Sequence, residues 1–202
     1  MFTHVPQPLR YAEALLTHFA SLSRTGREPA LQERFVQAVA ELSGCELSQL
    51  YLLDATHTVL GLAAECLGGV VQPRASASMP VDYNGEQLLQ FALCQNRTVS
   101  LVDLPASSLD TSFLPVLQRP WQSLLCVPLL NPQQAIAGLL LCASREAVDL
   151  SGFASSLGHL GAFVLVQLGL QQRLRQPEAT CAALASPRAG ATDYGLIGNS
   201  TA

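Results

Sequence analysis

The stretch from Gln122 to Ala143 constrains this chain most. Gln122 to Leu130 and Ala135 to Ala143 are two strongly apolar runs of strand length, separated by Asn131-Pro132-Gln133-Gln134. Two such runs around a short turn sequence predict a hairpin. Apolar runs without polar alternation place it centrally in a sheet.

The flanking sequence supplies the rest of the order. Leu9 to Arg24 carries Tyr11, Leu15, Phe19 and Leu22 at steps of three and four, which predicts a helix broken by Thr25-Gly26. Pro29 suits the first turn of a second helix with the stripe Leu31, Phe35, Ala38, Val39 and Leu42, ended by Gly44. The period then becomes two. Over Glu46 to Asp54, Leu47, Gln49, Tyr51 and Leu53 share one face, and Thr58 to Leu67 returns after the turn at Asp54 to His57. Gly68-Gly69 closes this hairpin, and a third strand covers Ala75 to Val81. Asn84 begins a middle helix, with Gln87 at capping-box spacing and Leu88, Leu89, Phe91 and Ala92 buried; Asn96 stops it. Thr98 to Val102 is a short strand, and Leu104 to Pro120 is a long loop with one helical turn. After the central hairpin, Asp149 caps a last helix that runs to about Arg175, ended by Pro177. The order α-α-β-β-β-α-β-β-β-α predicts an α+β fold: a central antiparallel sheet with helices packed on its faces and a long C-terminal helix.

Composition excludes several functions. Hydrophobic residues make up 49% of the 202 and charged ones 13%, which argues against disorder. Eleven bases stand against fifteen acids, so clustered phosphate contacts, and with them nucleic-acid binding, are not expected. All eleven are Arg. Without Lys there is no lysine Schiff base and no Walker A lysine. Cysteines 45, 66, 94, 126, 142 and 181 form no CxxC pair, and five lie in or beside apolar runs, as buried reduced thiols of a cytoplasmic protein do. His4, His18, His57 and His159 are scattered, so neither a metal nor another cofactor is expected. MFTHVPQPLR lacks the apolar core of a signal peptide. Leu150 to Gln172 is uncharged and long enough to span a bilayer. Its Ser151, Ser155, Ser156, His159, Gln167, Gln171 and Gln172 argue against a membrane helix.

Two stretches resemble known families. Ser123 to Leu130 with Val127-Pro128-Leu129, then Gly138-Leu139-Leu140 and a helix from Phe153 through Leu168, resemble the "V-P-L", "G-x-L-x-L" and closing helix of GAF domains, with matching element order over residues 9 to 175. Tyr194 to Ala202 resembles the opening of the AAA+ module of sigma-54-dependent activators (bacterial enhancer-binding proteins), with Leu196, Ile197, Gly198, Ser200 and Ala202 matching its "L-I-G-x-S-x-A" run. These resemblances imply a sensor domain over 1–175 and a linker over 176–193, rich in Ala, Ser, Thr, Pro and Gly. From 194 the start of an ATPase would follow, in a transcription regulator of the kind that serves type VI secretion genes among others. The fragment itself would not be an enzyme.

The GAF resemblance implies a small-molecule pocket walled by the central strands, the loop Leu104 to Trp121 and the segment Met79 to Leu89, which makes Trp121, Cys126, Cys142, Met79 and Leu89 candidate ligand-binding residues. The family's cyclic-nucleotide set requires a Lys that is absent here, and no Cys has the neighbouring His of bilin attachment. Some GAF proteins reduce free methionine sulfoxide through pocket thiols. Cys126 and Cys142, on paired strands with Cys94 nearby, are the residues for that alternative or for a redox sensor, although their apolar neighbours favour inert thiols. The last helix carries two stripes. Phe153, Leu157, Leu160, Val164 and Leu168 form one, and His159, Phe163, Val166, Leu170 and Leu174 form another about 120° around. One stripe suits the domain's own sheet. The other suits the same helix of a second copy in a homodimer, unless the first two helices cover it.

Overall fold

The computed structural model describes residues 7–73, 78–81 and 87–185. The chain divides into two compact units, Met1–Gln171 and Gln172–Ala202, and the whole sheet lies in the first. Helices α1 (Pro8–Ser23) and α2 (Glu28–Ser43) open it, each with proline in its first turn, where the missing N–H costs nothing. Gly44 ends α2 at φ 68°, a conformation a side chain would strain, and its N–H closes onto the Ala40 carbonyl at 2.9 Å.

Strands β1 (Leu47–Leu53) and β2 (Val59–Leu67) form the expected first hairpin. The Asp54 carboxylate organises its turn by accepting the N–H groups of Thr58 (2.8 Å) and Val59 (3.0 Å). After Gly68-Gly69 comes β3 (Val70–Val71), too short to leave a periodic signal. Strand β4 (Ser78–Pro80) is the described part of the strand expected over Ala75 to Val81, and it pairs with Val59–Gly61 of β2.

Helix α3 (Leu88–Gln95) differs from expectation at its start. Asn84 lies outside the described residues. Gln87 sits just before the helix with extended backbone and makes no side-chain cap; the capping partner comes from the long loop, where the Asp110 carbonyl accepts the Leu88 N–H at 3.0 Å. Phe91, expected inside, is exposed. The inward pairs Leu88-Leu89 and Ala92-Leu93 turn it to solvent, while Gln90 is buried with its amide donating to the Pro80 carbonyl. Asn96 ends the helix in the left-handed region.

Strand β5 (Val99–Leu101) leads into residues 104–120, which hold two turns, Leu104–Ser107 and Thr111–Leu114, and no helix. Strands β6 (Ser123–Leu130) and β7 (Ile136–Ser144) form the predicted hairpin, its turn held by Asn131, whose side-chain oxygen accepts the N–H groups of Gln133 and Ala135. A 3₁₀ turn, Ser151–Phe153, precedes α4 (Ala154–Ala185). Asp149 accepts the Ser151 N–H at 2.9 Å, so the predicted cap acts on this turn rather than on α4. The helix does not stop near Arg175. It continues through Pro177 to Ala185, into the segment read as linker. An interior proline removes one rung of the ladder and crowds the carbonyl four residues back, at a cost of about 3 kcal/mol; the helix spans it nonetheless. Residues 186–202, with the stretch resembling an ATPase start, lie outside the described residues.

The described strands form one antiparallel sheet in the order β3-β2-β1-β7-β6-β5, with β4 also on β2. The register sorts side chains onto two faces. On one, Leu50, Leu140, Val127, Leu125 and Cys142 pack under α2 and α4. Leu157, Leu160, Val164 and Leu168 of α4 are buried there, each contributing about 1.5–3 kcal/mol of apolar burial. On the other face, Leu47, Tyr51, Leu124, Leu139 and Leu141 pack under α3 and the long loop. The stretch Ser151–Leu174 has the length and mean hydropathy (1.5) of a membrane span, and one side of it is this buried stripe.

Candidate functional site

The α3 face of the sheet carries a buried polar chain in an apolar setting. Gln49 lies opposite Glu65 on β2 and Leu141 on β7. The Tyr51 hydroxyl donates to Gln49 Oε1 at 3.2 Å, and Gln49 Nε2 donates to Glu65 Oε2 at 2.5 Å. Tyr51 and Gln49 are almost fully buried, and Glu65 is half-buried at the sheet's outer side. Burial, then the Glu65 carboxylate, pushes the Tyr51 phenol far up, so it stays a neutral donor. Phe113 of the long loop meets the Tyr51 ring edge-on at 6.5 Å. The same loop encloses an open cleft of about 650 Å³, lined by Leu104, Leu109, Leu114, Leu117, Arg119 and Trp121. Trp121 is buried within this lining, and its indole N–H donates to the Pro115 carbonyl at 2.9 Å. Tyr51, Gln49 and Glu65 do not line this cleft, whose polar groups come from the loop itself, Asp110, Thr111, Ser112, Gln118 and Arg119. Among the described residues no three His, Cys, Asp or Glu side chains gather into a metal site.

A second candidate surface lies on the opposite side of the domain. Tyr11 bonds Ser156 (2.5 Å) and packs on Phe153; Phe19 meets Phe163 edge-on at 5.3 Å; Gln171 donates to the Thr25 carbonyl at 3.0 Å. The nearly constant offset, 142 to 146 residues, means that α1 runs parallel to α4. At about 100° per residue, Leu16 and Leu9 lie about 60–80° beyond Phe19 on α1, away from Tyr11 and Leu22. On α4, Val166, Leu170 and His159 lie roughly 20–60° beyond Phe163 in the other sense, away from the sheet. For parallel neighbours these opposite rotations reach the same outer surface. Leu9 is 82% exposed, Leu16 69%, Val166 38% and Leu170 47%. The expected dimer stripe is thus divided. Helix α1 half-buries Phe163, His159, Val166 and Leu170 stay exposed, and Leu174, in the second unit, is 71% exposed.

No protein-family model matches the chain, and no curated protein matches it. Solved structures do. The GAF domain of an Acinetobacter phosphoenolpyruvate-protein phosphotransferase superposes with a TM-score of 0.67 at 18% identity, over 81% of this chain and 95% of that one. The A. aeolicus nlh2 GAF domain in an inactive state gives 0.64 at 12%, over 81% and 98%. The fold is that of a GAF domain. A free methionine-R-sulfoxide reductase from Neisseria meningitidis, solved with its substrate, shares it at 0.66 and 19%, over 86% and 97%.

Within this GAF fold the predicted ligand residues separate. Trp121, Leu89 and Cys126 come together on the α3 face, where Leu89 and Cys126 are fully buried core. The Met79 backbone pairs with Leu60 on β2. Cys142 lies on the opposite face, because Cys126 pairs with Leu141 and Cys142 with Leu125. One step along a strand reverses the side-chain direction, so paired strands do not bring these two thiols together. Complete burial also pushes the Cys126 thiol up to about 12, away from the thiolate a reductase needs. Cys94 is exposed on α3. Sequence reading passed over the buried polar chain of Gln49, Tyr51 and Glu65. The available signal was Gln49 between Leu47 and Tyr51 on an inward strand face, where an amide needs a partner.

Proposed function

We propose that this GAF-fold unit is the regulatory sensor and dimerisation domain of a cytoplasmic sigma-54-dependent transcriptional activator, and that it binds and transmits rather than catalyses. The observation that carries this reading is the two-helix apolar face. Leu16 lies nearest Val166 and Leu170, with Leu9 further along α1, and exposed apolar side chains of this kind on the elements outside the sheet mark an interface. A second copy related by a two-fold axis covers it with the same residues. The ligand-responsive side is the α3 face, where the cleft within residues 104–121 offers the pocket and Phe113 of the same loop rests on Tyr51. A small molecule held there alters the packing of the sheet, and α4 carries that change to the dimer face and to the AAA+ module that the 194–202 resemblance places next. The setting in type VI secretion gene control rests on that resemblance alone.

Light scattering of the purified chain tests the reading. Wild type is expected at dimer mass. The pair Leu16→Glu with Leu170→Glu is expected at monomer mass with unchanged far-UV circular dichroism. A dimer that survives both charges refutes the interface. Exposed Leu16 and Leu170 suit this test better than Phe163, whose ring also supports the monomer's own α1–α4 packing.

A further inference from the structure

We propose that the outer edge of β5, with the groove between it and α3, binds a short extended peptide segment that carries a carboxylate. Strand β5 ends the sheet. It pairs with β6 on one side, and among the described residues no strand pairs with the other. A cavity of about 280 Å³ lies here, lined by Phe91, Gln95, Arg97, Thr98, Val99 and Ser100. Val99 pairs with Cys126 and belongs to the α3 face, whereas Ser100 pairs with Leu125 and belongs to the α2–α4 face. Successive side chains of a strand point to opposite faces, so a cavity that meets both residues runs along the backbone edge they share. The wall across from that edge is helical. Phe91 and Gln95 are one turn apart on α3, away from the inward pairs Leu88-Leu89 and Ala92-Leu93, and Phe91 is 39% exposed.

A free strand edge facing a helix is a setting in which an extended peptide adds to a sheet. The unpaired N–H and C=O groups of the edge supply main-chain bonds, and the side wall takes alternate side chains. At about 3.3 Å per residue, β5 can pair with roughly three or four residues. Charge selects the occupant. Arg97 stands where α3 turns into β5, exposed and without a partner among the described residues. The lining contains no acid, although the chain carries fifteen acids against eleven bases. The guanidinium therefore takes a carboxylate, from an Asp or Glu side chain or from a free C-terminus, while Phe91 and Val99 take an apolar side chain of the same segment.

The test titrates peptides into the ¹⁵N-labelled 202-residue chain and follows its amide shifts. Acetyl-Val-Thr-Val-Asp-amide carries only a side-chain carboxylate, and acetyl-Val-Thr-Val with a free C-terminus only a terminal one; comparing them identifies the source. Saturable shifts confined to residues 91–101 are expected with at least one of the two. Arg97→Gln should weaken that peptide about tenfold, the loss of one charge-assisted pair, and leave the neutral acetyl-Val-Thr-Val-Asn-amide unaffected. Arg97 is exposed, so this variant keeps the fold. N-methylation of alternate peptide amides, tried in both phases, should abolish binding in one phase only, because every second N–H faces the strand. The proposal is overturned by an absence of shifts at residues 98–101, by neutral and acidic peptides binding equally, or by equal tolerance of both methylation phases. Shifts of the β5 amides on dilution without peptide overturn it too, since they mark two copies already paired through this edge.

Discussion

Gly138 of β7 faces the Tyr51 carbonyl of β1 with no room for a side chain, and replacing it with alanine tests the packing of β1 on β7. It lies opposite Leu52 on β1 and Leu129 on β6. A methyl group there would run into the Tyr51 carbonyl oxygen of the backbone and come within 3.1 Å of Leu52 Cδ2. The carbonyl cannot swing aside as a side-chain tip could, and Gly138 is paired on both sides. Forcing a methyl into such a site costs about 1–3 kcal/mol. Losing glycine's excess unfolded-state entropy returns about 0.5–1 kcal/mol. The net is about 1–2 kcal/mol of destabilisation, or roughly 2–8 °C in Tm for a domain of this size. Urea melts should show a lower midpoint at unchanged slope. Gly169→Ala is the control. It lies within α4 with nothing near its missing methyl, so the same substitution should stabilise by about 1 kcal/mol. A neutral or stabilising Gly138→Ala refutes the close approach of the two strands.

Two further outcomes follow from single contacts. Asp54 has its carboxyl drawn down to about 2 by the Thr56 hydroxyl and then by the N–H groups of its turn, Val59 foremost. A depressed folded value means that its stabilisation is complete above the unfolded value of about 4 and fades as pH falls towards 2. The Tm difference between wild type and Asp54→Ala should therefore be constant from pH 7 to 5 and shrink between about 4 and 2; a constant difference down to pH 2 contradicts the turn's hydrogen bonding. Tyr11→Phe keeps the ring on Phe153 and removes the hydroxyl bonded to Ser156, whose own proton still reaches the Phe153 carbonyl. A loss of about 1 kcal/mol in chemical denaturation is expected; a loss above about 3 kcal/mol would mean that the phenol holds more than this one bond.

The fold was legible where periodicity was long. The period-three-to-four stripes at Tyr11–Leu22 and Leu31–Leu42, the alternation at Leu47–Leu53 and the apolar pair around Asn131 all became the elements they predicted. What local pattern could not show was supplied from elsewhere in the chain. The α3 start depends on the Asp110 carbonyl, 22 residues on, and no capping motif encodes it. The two-residue β3 exists only because β2 offers it an edge. The candidate site was read less well for the same reason. Naming Cys126 and Cys142 together treated neighbouring strands as neighbouring side chains, while the register, which alternates faces, sets them apart. Gln49 found its meaning only once Glu65 and Tyr51 were placed beside it. The second apolar stripe on α4 was visible at its period, but the share taken by α1 depended on the parallel packing of two helices about 145 residues apart.

The central claim is that the outer faces of α1 and α4 meet their counterparts in a second copy. An isotope-filtered NOE measurement on a mixture of ¹³C-labelled and unlabelled chains tests it most directly. Cross-peaks between chains linking the methyl groups of Leu16 to those of Val166 and Leu170 are predicted. Cross-peaks confined to the β5 edge or to residues 104–121, or none between chains at all, would contradict it.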